Sequence, residues 1–384
     1  MIRTLSLAVV AGLVLTPLGV APLAAPAAPA TKSAPAAPAT TSASAAPAPK
    51  SGAAYKAPRT AFGQPDIGGY WSNATLTPMT RDSKLGDRLV FTPAEVKALE
   101  TDEAHQIAVG NKPTDPNAPV NAPNGLELKP SFLAAGGDVG GYNRGWLDPG
   151  QTVMRVGGQP RTSLITTKDG HIPNRKTAGP VVAGYDSGGG EGSRDPLGSF
   201  DNPENRPLSE RCIMFGGNVG PPMLPNGFYN NDYNIVQTPD AVAIQVEMVH
   251  DTRTVRLHSQ HRTDDVRPWF GDSIGWWEGD TLVVETNHVP QKQAFQGAWQ
   301  DLTITERFTR TAKDRLRYAF TVSAPNSWDA PWGGEYEFAP MHGVIYEYAC
   351  NEGNYALPGI LAGARAQDRE RAQAVGAKTT GGSN

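Results

Sequence analysis

The sequence predicts a mainly β protein: an antiparallel meander closed as a lipocalin-like barrel or folded as a β-sandwich, with a few peripheral helices and long loops. Two observations lead to this prediction. Residues 229–349 contain consecutive hairpins in which apolar and polar residues alternate and short turns separate the strands. The 42 Gly and 34 Pro residues favour turns and loops over long helices.

The predicted hairpins share one pattern, in which alternate side chains point to opposite faces of the strand. In the first hairpin, Val242, Ile244, Val246 and Met248 share one face. The predicted strand segments are 233–237, 241–250, 273–288 with a turn at 278–280, 302–322 with a turn at 312–314, 335–338 and 344–349. Consecutive hairpins at this spacing predict that the strands lie beside one another in chain order.

The remainder of the chain predicts few regular elements. Thr92 and Glu95 have the spacing of a capping box, with Pro93 at the first helical position, which predicts a helix to about Val109. A second helix, rich in charges, is expected outside the barrel. The other predicted strands are 65–71, 151–156 and 163–167, the loops are 111–150 and 174–226, and the second helix is 358–375.

The N-terminus has the features of an export signal. Arg3 precedes an apolar stretch, residues 5–15, and small Ala residues follow it. The stretch is too short before Pro17 to span a bilayer, so we expect a periplasmic or secreted protein with no membrane span in its mature form. The predicted organisation is a signal peptide at 1–25, an Ala/Pro-rich disordered linker at 26–60, a single β-rich domain at 61–376 and a disordered tail at 377–384.

Cys212 and Cys350 are the two cysteines of the chain. In an oxidising compartment two cysteines most often pair, which predicts a disulfide between the central loop and the last predicted strand. The alternative is a catalytic thiol at Cys350, which lies close to Glu352 in the sequence.

Composition and motifs exclude several classes of function. The net charge of −4 gives no reason to expect nucleic acid or an anionic membrane as a partner, so the expected partner is a small-molecule substrate or ligand. The chain has no nucleotide-binding fingerprint after a strand, and we expect no cofactor. His258 and His261 have the spacing of a metal-binding pair, but they fall in a polar loop without a third ligand, so no metal is expected.

The segment at 247–253, EMVHDTR, is the richest in groups that transfer protons. His250 and Asp251 are candidates for an imidazole–carboxylate pair, and Glu247 is a second carboxylate. A cross-strand salt-bridge ladder is the alternative. The candidate catalytic residues are Glu247, His250, Asp251 and Glu347. The candidate substrate-binding residues are Arg253, Arg267, Trp269, Trp276 and Tyr346, because aromatic rings stack on ligands and Arg binds anionic groups.

Several motifs together resemble those of a family of exported bacterial proteins that are usually recorded as hypothetical. The resemblance extends over most of the chain from Pro65 to about Ala364, and it implies export and one shared fold. This chain has Asn351 where many members of the family have His. The motifs are RTSLI (161–165), ERCI (210–213), YNNDYNIVQTPD (229–240), EMVHDTR (247–253), GDSIGWWEGDTLVVET (271–286), ERFTR (306–310) and YEYACNEGNY (346–355).

Two functions from different classes agree with these observations. The first is an envelope enzyme, a hydrolase or lyase, that uses carboxylate and imidazole groups for acid–base chemistry on a glycoside or an aromatic small molecule. The second is a lipocalin-like protein that binds a small molecule without changing it. Convergence of His250, Asp251 and Glu347 in one pocket would favour the enzyme, whereas an apolar cavity would favour the binding protein.

Overall fold

The computed structural model describes residues 55–110, 148–176, 200–215, 220–227 and 229–380, and nine strands in this part of the chain close into a barrel. The strands are β1 (Gly69–Ser72), β2 (Arg155–Val156), β3 (Gln159–Pro160), β4 (Asp232–Gln237), β5 (Ala241–Val246), β6 (Thr252–Leu257), β7 (Asp272–Glu278), β8 (Thr281–Asn287), β9 (Thr303–Ala312), β10 (Arg315–Ser323) and β11 (Trp332–Pro340). The α-helices are α1 (Pro93–Gly110) and α2 (Ala356–Thr380), and β2 and β3 form a separate two-stranded sheet.

The strand order around the barrel is β1-β11-β10-β9-β8-β7-β6-β5-β4, and β4 pairs with β1 to close it. This confirms the predicted barrel with few helices. Every contact is antiparallel except that between β6 and β7, where Arg256 lies opposite Ile274 in a parallel pair. The prediction of a fully antiparallel meander is wrong at this contact. In a closed ring with an odd number of strands, direction cannot alternate at every contact, so at least one pair must be parallel.

Several strand predictions need correction. Residues 344–349, predicted as a strand, form none, and β6 was not predicted. Because β11 already pairs with β1 and β4 closes the ring, the sheet has no free edge at which residues 344–349 could pair. The predicted strands at 151–156 and 163–167 are reduced to β2 and to an isolated bridge between Ile165 and Gly334.

The barrel wall separates an apolar interior from water, which explains the alternation in the sequence. Val242, Ile244 and Val246 of β5 are buried, as predicted. Opposite them, Tyr318 and Tyr336 pack with their ring centroids 4.9 Å apart, and other aromatic side chains of β9, β10 and β11 surround them. Side chains from all sides of the ring therefore meet in one core.

The first helix begins as its sequence predicts, and the second begins at Ala356, two residues before its predicted start. At α1 the N–H of Glu95 donates to Oγ1 of Thr92 at 3.3 Å, and the N–H of Thr92 donates to Oε2 of Glu95 at 2.8 Å, which is a reciprocal capping box. The second helix, α2, continues to Thr380, into the segment predicted as a disordered tail.

The predicted signal peptide and most of the predicted linker lie outside the described residues. The end of that linker is packed, since Ala57 is buried and Arg59 forms an ion pair with Asp280 at 2.5 Å. No helix among the described residues is long and apolar enough to cross a membrane.

The two cysteines form the predicted disulfide. The Sγ atoms of Cys212 and Cys350 are 2.08 Å apart, and their Cα atoms are separated by 5.6 Å. Both thiols are consumed in this bond, so the alternative interpretation of Cys350 as a catalytic thiol is not retained. The bond fastens residues 341–355, which contain neither strand nor helix, to the segment around Cys212.

Candidate functional site

Asp232 and Glu247 lie side by side at the end of the barrel where β4 begins and β5 ends. The pairing of Tyr233 with Val246 places them opposite each other, and the N–H of Glu247 donates to the carbonyl oxygen of Asp232 at 2.9 Å. Because Tyr233 points into the barrel, alternation directs Asp232 to the outer face. We call Asp232 and Glu247 the carboxyl pair.

Glu247 is held in a state that favours its protonated form. The residue is only 7% exposed, and this burial raises the pKa of Glu247 to about 7. The negative charges of Asp232 and Asp148 raise its pKa further, whereas a hydrogen bond from the backbone N–H of Tyr346 lowers it. A carboxylic acid with a pKa near neutrality can donate a proton at physiological pH.

Asp232 titrates at a slightly lower pH. Burial raises the pKa of Asp232 to about 6, a hydrogen bond with the side chain of Ser72 lowers it, and the charge of Asp148 raises it. Asn231, itself buried, donates to the carbonyl oxygen of Asp148 at 2.9 Å and so fixes the position of that residue. Between about pH 6 and about pH 7, Glu247 can therefore serve as a proton donor while Asp232 serves as a proton acceptor.

His250 and Asp251 belong to the turn between β5 and β6. Residues Met248–His250 form a short 3₁₀ turn in which Val249 and His250 have positive φ angles, so the alternation predicted through residue 250 ends at Val246. Burial raises the pKa of Asp251 to about 6, and the nearby charge of His250 lowers it. His250 is exposed, and Oδ2 of Asp251 is buried without a hydrogen-bond partner among the described residues. The predicted imidazole–carboxylate pair therefore stays a prediction.

Arg253, a predicted substrate-binding residue, lies inside the barrel. Its guanidinium group forms two hydrogen bonds with the carboxylate of Glu306, one of them 2.9 Å long between Nη2 and Oε1. The side chains are 1% and 0% exposed, respectively. Burial alone would lower the pKa of Arg253, but the charge of Glu306 and its hydrogen bonds outweigh burial and raise that pKa. This ion pair faces the core and not the carboxyl pair.

Tyrosine hydroxyl groups connect the buried ion pair to the loop at residues 220–225. The hydroxyl of Tyr318 donates to Oε1 of Glu306 and accepts the N–H of Met223, both at 2.8 Å. The hydroxyl of Tyr336 donates to the carbonyl oxygen of Met223 at 2.8 Å, and Nδ2 of Asn73 donates to Tyr336 and to Tyr233 at 3.1 Å. The network fixes Met223, which is fully buried, at the inside of the barrel.

The other predicted site residues lie in different places. Arg267 donates to the carbonyl oxygen of Val289 and stacks on Trp299, and Trp269 and Trp276 are exposed near β7. Strands β5 and β6 separate β7 from β4 in the barrel. Glu347 is exposed, whereas its neighbour Tyr346 reaches Glu247 through its backbone.

His261, predicted to lie in a polar loop, bridges two carboxylates on the outer face of β7 and β8. Its Nδ1 is 2.9 Å from Asp272 and its Nε2 is 3.2 Å from Glu285. Burial alone would raise the pKa of Asp272, but hydrogen bonds from the N–H of Arg262, from His261 and from Arg256 lower it. Both carboxylate oxygens of Asp272 form hydrogen bonds, and these bonds stabilise the loop at residues 258–271. No group of side chains suited to a metal ion occurs among the described residues.

A surface groove of about 740 Å³ lies between α1 and the β2–β3 sheet. Val90, Phe91 and Val96 line its apolar part, and Lys97 and Arg155 lie at its edge. The groove contains none of the predicted catalytic residues.

Sequence reasoning missed Asp232, although a signal for it was available. The predicted turn at 238–240 fixes the register of the first hairpin, and that register places residue 232 opposite residue 247. The buried Glu306 and Asn73 had no such local signal, because their partners are far away in the chain.

Comparisons with models of protein families, with curated proteins and with solved structures found no match to this chain.

The raised pKa of Glu247 predicts a stability effect. A folded-state pKa of about 7 against an ordinary value of 4.5 means that the contribution of the neutral form is complete below pH 4.5 and is lost as the pH rises to 7. We expect Glu247→Gln to raise the free energy of unfolding at pH 8 by up to about 3 kcal/mol and to change it little at pH 4. Urea unfolding at both pH values measures this, with the exposed Glu347→Gln as the matched control. A stability loss at pH 8 would contradict the prediction.

Proposed function

We propose that the protein is an enzyme that uses the carboxyl pair for acid–base chemistry on a glycoside or an aromatic small molecule. The observation that carries this proposal is the position of Asp232 opposite Glu247, two partly desolvated carboxyl groups that repel each other at the end of the barrel. Such an arrangement costs stability, and active sites commonly contain carboxyl groups in this state.

In the proposed chemistry, Glu247 is the general acid and Asp232 is the general base. In a hydrolysis, Glu247 gives its proton to the leaving-group oxygen as the C–O bond breaks, and Asp232 takes a proton from the water whose oxygen bonds to the carbon. In an elimination, Asp232 takes a proton from carbon, a C=C bond forms and Glu247 protonates the departing oxygen. His250 and Asp251, in the adjacent turn, exchange protons with water.

We further propose that the protein works in the periplasm or is secreted. The signal peptide predicted at the N-terminus and the resemblance to exported bacterial proteins support this location. The disulfide between Cys212 and Cys350 agrees with it, because disulfides persist in oxidising compartments.

The second candidate function is the binding of a small molecule without turnover. The groove of about 740 Å³ beside α1 favours it, since its volume and apolar lining are typical of ligand sites. This groove lies outside the barrel. It therefore supports binding at the surface and not the lipocalin-like binding of a ligand inside the barrel.

Glu247→Gln and Asp232→Asn are each expected to lower kcat by about a hundredfold or more, because each removes one proton-transfer group. The assay is release of nitrophenol from a panel of 4-nitrophenyl hexosides and N-acetylhexosaminides. For the unmodified protein, kcat/KM should rise as Asp232 loses its proton near pH 6 and fall as Glu247 loses its proton near pH 7.

Two variants serve as controls for this assay. Glu347→Gln makes the same chemical change at an exposed position and should leave kcat unchanged. Glu278→Gln makes this change at an exposed position at the end of β7. Unchanged turnover in Glu247→Gln, or no turnover of any compound of the panel, would reject the enzymatic proposal and leave small-molecule binding.

A further inference from the structure

The outer face of β1, β4 and β5 carries a row of polar and aromatic side chains next to the carboxyl pair. Tyr70 lies opposite Asn234, and Asn234 lies opposite Gln245. We call these three residues the amide row. Each is two positions along its strand from the row of Ser72, Asp232 and Glu247, so the two rows share one face and are about 7 Å apart.

The amide row has unused hydrogen-bonding groups and an exposed ring. Nδ2 of Asn234 donates to Oε1 of Gln245 at 3.4 Å, which leaves the carbonyl oxygen of Asn234 and the amino group of Gln245 without another partner among the described residues. The side chain of Tyr70 is 58% exposed. A donor, an acceptor and a flat apolar surface match a sugar ring, which has hydroxyl groups at its rim and C–H groups on its faces.

Beyond the amide row, on the side away from the carboxyl pair, the same face has a third row of side chains. Val236, exposed, lies opposite Ala243, two positions beyond the amide row on both strands. From the carboxyl pair to this apolar row the face therefore measures about 14 Å. That length is greater than one sugar ring needs, and it fits a chain of sugar units.

Residues 341–346 run from Tyr70 on β1 to Glu247 at the end of β5 and so connect the two rows. The N–H of Met341 donates to the carbonyl oxygen of Tyr70 at 3.2 Å, and the N–H of Tyr346 reaches the carboxyl group of Glu247. The ring of Tyr346 is 67% exposed, which adds a second exposed aromatic side chain in the segment that contacts Glu247.

Charge limits the kind of chain that can bind. Asp148, Asp232 and Glu247 are the charged groups at the carboxyl end of the face, and none of the side chains in the three rows is basic. A polyanionic glycan would be repelled by these carboxyl groups once they ionise.

We propose that the substrate is a neutral oligosaccharide or polysaccharide chain that lies along the outer face of β1, β4 and β5, with Tyr70 stacking on one sugar ring and with Asn234 and Gln245 binding its hydroxyl groups. This inference rests on the proposed function, since the carboxyl pair would cleave the chain that the amide row binds.

Native gel electrophoresis in gels that contain soluble polysaccharides tests the inference. Hydroxyethyl cellulose, glycol chitin, arabinoxylan, galactomannan and dextran are the neutral probes, and polygalacturonate is the anionic one. We expect at least one neutral polysaccharide to retard the protein and polygalacturonate not to. Tyr70→Ala should weaken that retardation about tenfold or more, and Asn234→Ala should weaken it as well.

The matched control is Tyr355→Ala, which removes another tyrosine that is 83% exposed but lies away from the three rows, and which should be retarded like the unmodified protein. Glu247→Gln should also remain retarded, because binding needs the amide row and not the proton of Glu247. Lack of retardation by every neutral probe, retardation by polygalacturonate alone, or unchanged retardation of Tyr70→Ala would overturn the inference. The proposed enzymatic function is tested on small nitrophenyl glycosides, whereas this inference is tested by binding of polysaccharides. Failure of one can therefore be distinguished from failure of the other.

Discussion

Replacing Glu306 by Gln is expected to lower the free energy of unfolding by about 3–5 kcal/mol, because it leaves the guanidinium group of Arg253 buried without its counter-ion. Both side chains are almost inaccessible to water, at 1% and 0% exposure. The loss extends to Tyr318, whose hydroxyl donates to the same carboxylate and accepts the N–H of Met223. Urea unfolding at pH 7, followed by tryptophan fluorescence, measures the change.

The adjacent residue on β9 supplies a control. Arg307 pairs with Glu278 at 2.5 Å, but these side chains are 45% and 47% exposed, so Glu278→Gln should cost less than about 1 kcal/mol. The double variant Arg253→Met/Glu306→Leu removes both buried charges and should be more stable than Glu306→Gln alone. Equal losses in Glu306→Gln and Glu278→Gln would mean that the ion pair in the barrel is solvated.

The same ion pair explains why β6 could not be predicted from the sequence. In β6 the inward positions are Arg253, Val255 and Leu257. A charged residue at the first of them breaks the apolar alternation that identified the other hairpins. Arg253 can be buried inside the barrel only because it pairs with Glu306. Glu306 lies on β9, which is not next to β6, so no local sequence pattern could predict this pairing.

The barrel itself was predictable because alternation records which side of the wall each residue faces. Its closure was left open between a barrel and a sandwich, since closure depends on the pairing of β1 with both β4 and β11. The strand β1 is separated from β4 by a long stretch of chain, and its four residues give little periodicity. The parallel contact between β6 and β7 follows from the number of strands in the ring, which only the closed structure reveals.

The candidate site was predictable in part. The segment at 247–251 drew attention to Glu247, and the hairpin register could have added Asp232. The approach of Tyr346 to Glu247 could not be predicted, because residues 344–349 resemble a strand and instead run along the outside of a sheet that is already closed. The burial that raises the pKa of Glu247 depends on this tertiary contact and not on its neighbours in the chain.

The double variant Cys212→Ser/Cys350→Ser is expected to lose roughly 4–5 kcal/mol of unfolding free energy relative to the oxidised protein. The bond joins positions 138 residues apart, so its loss returns much conformational entropy to the unfolded chain. Urea unfolding measures the loss, and reduction should bring the unmodified protein to the stability of the variant while leaving the variant unchanged. The bond also fastens the segment that reaches Glu247, so proteolysis of the native variant should begin within residues 341–355. A loss below about 1 kcal/mol, with this segment still protected, would mean that the remaining contacts hold it in place without the disulfide.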